Sequence, residues 1–203
     1  MVTPRRQHTL ADLTELPDDD SIYDIVGGEF VVRNAPDGNH ADVLVALIDF
    51  LLTAEHAGWG RLYIGTRAVA LDFPTHGAAA KDVTHPDLFF VRPGREHLHG
   101  RRAWEGVPDL VIEILSPSTR AEHAPGGDLF KTYERNGLPN YWVVNPPART
   151  ITQYTLAGDA YVGGGYYGLP VILREGDLLT CPVFPTVSVR LRQIFQRVRD
   201  YEQ

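Results

Sequence analysis

Cysteine is almost missing from this chain: Cys181 is the single one among 203 residues. A lone thiol excludes an internal disulfide and a zinc centre built from cysteines, and the neighbours Pro182, Val183 and Phe184 mark it as an inert buried group. Long apolar runs are missing too. The longest, from Val43 to Leu52, is broken by Asp49 and is too short to span a bilayer. The first residues, Met1-Val2-Thr3-Pro4-Arg5-Arg6, have no apolar stretch after their arginines, so no export leader is expected and the chain reads as cytoplasmic. Positive charge is scarce. A formal net charge of -7 is not that of a protein that coats DNA, because phosphates call for a basic surface. Acids that hold a metal would add to that balance, and Arg92, Arg95, Arg101 and Arg102 do gather in one segment, either as a contact patch or as a solvated face. No internal repeat is visible.

What is present is an ordinary globular composition, 43% hydrophobic, in a chain long enough for one domain with a substantial core. Residues 1–20 are polar and contain Pro17-Asp18-Asp19-Asp20, which reads as a loose tail or a short helical arm before a single domain at 21–203. Tyr23-Asp24-Ile25-Val26 and Glu29-Phe30-Val31-Val32 form a hairpin around Gly27-Gly28, since glycines supply the positive φ of a tight turn. Pro36-Asp37-Gly38-Asn39 ends it. Asn39 or its neighbour would cap a helix running through His40, Val43, Leu44, Leu47, Leu51 and Ala54, whose apolar stripe should lie on a sheet. Strands are expected at 61–64 and 67–73, as two strands or one bent one, then a flexible loop at 74–81. A helix at 128–136 stops at Gly137, and Tyr141-Trp142-Val143-Val144-Asn145 is a core strand. A meander of short strands at 151–156, 160–162, 171–173 and 178–180 and a last helix at about 191–201 complete the chain.

Two stretches organise the rest. His85-Pro86-Asp87-Leu88-Phe89-Phe90-Val91 and Pro108-Asp109-Leu110-Val111-Ile112-Glu113-Ile114-Leu115 are short, continuously apolar and bounded by prolines, as strands covered on both faces of a sheet are. Each carries a carboxylate where the pattern predicts none. Glu113 interrupts an aliphatic run, and an ionised side chain in a buried strand is costly unless a cation or hydrogen-bond donors meet it. If Asp87 ends a neighbouring strand, the two acids repel by roughly 4 kcal/mol at about 4 Å and an effective dielectric near 20. A bound divalent cation turns that repulsion into attraction, and magnesium, which takes oxygen ligands and keeps waters, suits such a pair. Paired carboxylates also serve glycoside hydrolysis, although no aromatic-rich sugar platform is evident. His97-Leu98-His99 is either a metal-binding pair or a solvated loop. Ser116-Pro117-Ser118-Thr119-Arg120 would cap the next element or touch a phosphate.

Pro86-Asp87, Glu113-Ile114-Leu115-Ser116-Pro117-Ser118-Thr119, Lys131 with Tyr133, Gly137, Pro139 and Tyr141-Trp142 together resemble the Uma2 (DUF820) endonuclease family. That family is a branch of the PD-(D/E)XK, restriction-endonuclease-like nucleases, and the likeness runs from about Tyr23 to Asn145 and more loosely to the C-terminus. It implies an α/β (α+β) fold, a mixed sheet flanked by helices with additional antiparallel strands in the C-terminal part. It also implies a metal-dependent endonuclease in which Asp87 and Glu113 bind Mg (or Mn) and the substrate is nucleic acid, DNA first, gripped by a homodimer. Lys131 would orient the attacking water, since Leu115 stands where many of the superfamily carry a lysine two residues after the glutamate. The family lysine usually lies a full helical turn before the tyrosine, whereas Lys131 is two residues before Tyr133; Lys81, the other lysine of the chain, is a second donor. Glu29 and His40 match auxiliary positions, against plain readings of a turn-edge carboxylate and a capping histidine. The competing class is a catalytically inactive binding or assembly module that keeps the fold.

Overall fold

The computed structural model describes residues 7–16, 22–33, 38–65, 67–116, 120–158 and 165–199. The expected features at Pro17 to Asp20, Pro36-Asp37, Pro117 to Thr119 and 160–162 lie outside the described residues. Chain order is β1 (Ile22–Val26), β2 (Glu29–Arg33), α1 (Gly38–His56), β3 (Arg61–Ile64), β4 (Ala68–Ala70), α2 (Phe73–His76), β5 (Val83–Thr84), β6 (Leu88–Val91), β7 (Ala103–Trp104) and β8 (Leu110–Ile114). It continues with α3 (Arg120–His123), α4 (Asp128–Arg135), β9 (Asn140–Asn145), β10 (Thr150–Ala157), β11 (Tyr166–Tyr167), β12 (Val171–Leu173), β13 (Leu178–Leu179), β14 (Val189–Arg190) and α5 (Leu191–Ile194).

These strands form two mixed sheets and a small ribbon. A five-stranded sheet has the order β2-β1-β5-β4-β7, a seven-stranded one runs β11-β10-β9-β8-β6-β3 with β12 also on β10, and β13 pairs with β14. Within the larger sheet β6 and β8 are antiparallel, with Leu88 opposite Ile112 and Phe90 opposite Leu110, while β8 and β9 are parallel. A parallel neighbour needs a crossover, and the segment carrying α3 and α4 supplies it. Both faces of the large sheet are covered, which is why β6 and β8 read as unbroken apolar runs. On one face Leu88, Phe90, Leu110, Ile112 and Ile114 pack with Val43, Leu47 and Leu51 of α1 and with Leu191 and Ile194 of α5. On the other, Phe89, Val91, Val111 and Leu115 pack with Leu129, Phe130 and Tyr133 of α4. The family-like Tyr141-Trp142 pair is divided between these two cores, both residues buried.

Several local expectations change. Residues 12–15 form a 3-10 turn held down by backbone bonds from His8 to Gly28 and from Leu10 to Ala80, so the described part of the N-terminal segment is a docked arm. The stretch 61–73 is two strands in different sheets, and 74–81 is not an open loop: α2 and a 3-10 turn at Gly77–Ala79 fill it. Asn39 does not cap α1. Lying inside the helix, it exchanges hydrogen bonds with the backbone of Arg199, Nδ2 to the carbonyl and N–H to Oδ1, each 2.9 Å, tying the chain's end to the helix start. The C-terminal helix is one turn, α5, followed by turns stabilised by Phe195 and Val198 in the core.

The hairpin turn is as the glycines predict, with φ of 58° at Gly27 and 84° at Gly28. Gly60 has a second reason. A Cβ there would lie 2.1 Å from the carbonyl oxygen of Val91, so only glycine lets β3 close onto β6.

Candidate active site

Chain crossing between the two sheets takes place at residues 85–87, from β5 in the smaller sheet to β6 in the larger. Because β6 is antiparallel to β8, its first residue lies beside the last residues of β8. Asp87 and Glu113 therefore arrive at the same end of the same strand pair. They are cross-linked through the backbone: the Asp87 N–H donates to Glu113 Oε2 at 3.3 Å, and the Ile114 N–H donates to Asp87 Oδ2 at 2.7 Å. Such bonds hold two acids at adjoining strand ends in fixed rotamers.

Glu113 is fully buried. Alternation along β8 places it on the face of Val111 and Leu115, under α4, and the Tyr133 hydroxyl donates to its Oε1 at 2.7 Å. Thr84 Oγ1 lies 3.3 Å from the same phenol oxygen. A buried carboxylate met by donors is the arrangement that makes burial tolerable. Asp87 sits at the rim, its side chain 17% exposed, and His40 Nε2 approaches its Oδ2 to 3.2 Å from the first turn of α1. The strand end is where this is possible, because α1 covers the face opposite to α4 and reaches Asp87 around the end of the sheet.

A third acid, Asp24, carried no expectation from the sequence. Asp24, fully buried in β1, accepts the backbone N–H of His85 at 2.6 Å and faces His85 Nδ1 at 3.0 Å, so the histidine immediately before Pro86-Asp87 is oriented by the smaller sheet. The signal was available: Asp24 interrupts an apolar strand just as Glu113 does.

Lys131 and Glu29 are placed elsewhere. At about 100° per residue, Leu129, Phe130, Thr132 and Tyr133 share the buried arc of α4, and Lys131 falls on the opposite side, exposed. It lines a hollow of about 570 Å³ together with Glu29, Lys81, Asp72, Asp82 and Arg135, a hollow that Asp87, Glu113 and His40 do not line. The position one turn before Tyr133 is Leu129, which is 2% exposed in the core. Leu115, two residues after Glu113, is in the same core. Within the hollow Asp82 accepts from Arg135 Nε at 3.1 Å, Asn136 Nδ2 at 2.7 Å and the Gly27 N–H at 3.0 Å. Burial pushes the Asp82 carboxyl up, but these partners outweigh it and hold it below the ordinary range.

The arginine segment divides as well. Arg92 Nε and Arg95 Nη1 donate to the buried Asp109 at 3.0 and 2.9 Å, and Arg92 N–H adds 2.9 Å. These two cations neutralise an acid at the far end of β8, while Arg101 and Arg102 are exposed. His99 packs its ring against Tyr63 and Trp104, and among the described residues no three histidines, cysteines, aspartates or glutamates are grouped to hold a metal. Nor is any described helix long and apolar enough to cross a membrane.

Among solved structures the fold is similar to that of "a putative nuclease belonging to DUF820" from Anabaena variabilis, with a TM-score of 0.70, 15% identity, and coverage of 93% of this chain and 97% of that one. No protein with a curated description matches. The family model for Uma2, described as "Putative restriction endonuclease", matches residues 10–192, nearly the whole length and the segment that holds Asp87, Glu113, His40 and Tyr133. With that span covered, the chain belongs to the Uma2 family.

Proposed function

We propose that the chain is a metal-dependent endonuclease that hydrolyses phosphodiester bonds of nucleic acid, DNA first, with Asp87 and Glu113 as the ligands of a magnesium or manganese ion. The observation that carries this reading is a fully buried glutamate joined to a rim aspartate at one strand end, with a histidine at its side. The donor set fits the ion. Magnesium is held by one or two carboxylates, with waters and substrate phosphates completing its shell, and two carboxylates at one strand end supply that much. Each carboxylate oxygen that accepts a hydrogen bond keeps a second lone pair. When bound, such an ion acidifies water and relieves charge on the phosphoryl oxygens.

The chain's own groups would do the rest. Tyr133 and the Asp87 N–H fix Glu113, while His40 and the Ile114 N–H fix Asp87. Lys131 and Glu29, on the far side of α4, would meet the substrate strand rather than the water, as would Lys81. Cutting both strands of a duplex requires two such centres, which is the reason for expecting a homodimer.

The second reading, a nuclease fold that binds without cutting, is favoured by Leu115 and Leu129, the apolar residues where a lysine would reach the site. Magnesium- and manganese-dependent cleavage of mixed DNA and RNA by the wild type and by Glu113→Ala, with melting curves for both, separates the two. Cleavage that the folded Glu113→Ala protein lacks supports the nuclease; no cleavage and no calorimetric uptake of either ion by the wild type leaves the binding module.

A further inference from the structure

On the large sheet, at its β3 edge, lies a hollow of about 250 Å³ that takes no part in the chemistry above, lined by Arg61, Tyr63, Arg92, Glu96, His99 and Trp104 among others. Its walls are aromatic. Tyr63 stacks one face on Phe89 with centroids 4.8 Å apart and planes at 10°, and His99 and Trp104 stand tilted against it at 5.7 and 5.5 Å. Trp104 is 1% exposed, yet its indole N–H has no acceptor among the described residues. A buried donor without a partner costs about 1 to 3 kcal/mol, and native proteins hold few of them. Arg61 is exposed at the rim, and Arg92 is 57% exposed while its Nε serves Asp109. The volume is below the roughly 300 Å³ at which pockets begin to take drug-sized ligands, so a single ring system is the size of guest that fits.

We infer that this hollow is a subsite for one unpaired nucleobase of the nucleic-acid strand, stacked on the Tyr63–His99 wall, with the Trp104 ring shifting to bring its buried indole N–H to a base carbonyl and the adjoining phosphate on Arg61. Aromatic rings interleaved with arginines are how single strands are held, because every base has a face to stack and every nucleotide a phosphate to pair. The subsite rests on the nuclease reading for its biological sense. Val91 ends β6 and Asp87 immediately precedes its start, about 13 Å apart at 3.3 Å per residue, a distance that a short stretch of extended strand covers. A strand seated here would reach Asp87 with its next phosphates, and the subsite would set which nucleotide lies at that distance from the cut.

The test needs no turnover. In protein with 15N-labelled tryptophan, in EDTA, the three indole N–H signals are followed during titration with a mononucleotide, with a short single-stranded DNA, and with ribose 5-phosphate; Trp104→Phe assigns the signal. The Trp104 signal is expected to move with the two base-containing ligands and stay still with the sugar phosphate, with tighter binding of the strand than of the mononucleotide. Arg61→Ala, a surface change that spares the fold, is expected to weaken both about tenfold. A Trp104 signal that moves for none of the three, or equally for ribose 5-phosphate, overturns the subsite. Base binding by a protein that never cuts would sink the nuclease and leave the subsite standing, and cutting without base binding would do the reverse.

Discussion

Replacing Tyr133 by phenylalanine removes one oxygen from the protein and nearly nothing from its packing. The lost bond is 2.7 Å long and ends on a fully buried carboxylate, and a hydrogen bond to a charged group is worth about 1.5 to 3 kcal/mol. A loss of about 2 kcal/mol is therefore expected, which at about 2 to 4 °C per kcal/mol for a chain of this size is a fall of about 4 to 8 °C in Tm. The assay is a double-mutant cycle in urea with Glu113→Ala, which isolates the pairwise part from the cost of either change alone. In the Glu113→Ala background the phenol has lost its carboxylate partner, so its removal should cost under about 1 kcal/mol, leaving a coupling of about 1 to 2 kcal/mol. Equal costs in the two backgrounds would refute the placement of Glu113 under α4, and with it the geometry on which the proposed metal site is built.

Other outcomes follow from neighbouring features. Arg95→Ala leaves the buried Asp109 with Arg92 as its remaining cation, and since Arg95 is about one-third exposed the loss should be about 1 to 3 kcal/mol, read from urea midpoints, with cleavage unchanged. Asp82 has a lowered carboxyl pKa in the fold, so its contribution is present above the unfolded value of about 3.9 and lost as pH falls through the folded value; Arg135→Ala should flatten the fall of stability below about pH 4, and an unchanged slope counts against the pairing. Burial pushes the Cys181 thiol up to about 12, so a thiol reagent at pH 8 should label it only as fast as the protein opens, which the rate in rising urea will show.

Much of this was legible in the sequence because it is local. Apolar runs bounded by prolines announced β6 and β8, the Gly27-Gly28 pair announced its turn, and an acid inside an aliphatic run announced Glu113. Lys131 shows the limit. Its register against Tyr133 already put it about 160° from the tyrosine's side of a helix, yet only the packing of Leu129 and Phe130 settles which side is buried. The Tyr63, His99 and Trp104 wall was invisible for another reason: its members come from β3, a loop and β7, elements that belong to two different sheets. The β7 strand has two residues, and no periodicity can be read from two.

β8 offers the sharpest instance, since it carries a buried acid at each end. Asp109 and Glu113 are four residues apart and look alike in the sequence, both flanked by aliphatic residues and both nearly inaccessible. Asp109 is met by two guanidinium groups within seventeen residues in the chain, cations that more than offset its single charge. Glu113 accepts from a phenol and an amide, donors that hold a carboxylate in place. Next to it Asp87 adds a second carboxylate with a histidine at 3.2 Å. Firm positioning is what a cation site requires of its ligands, and two neighbouring carboxylates, one of them fully buried, are costly to stability if no cation arrives. Which groups reach Glu113 and Asp87 is thus decided by α4, α1 and the crossing at residues 85–87, not by the residues around each acid in the sequence.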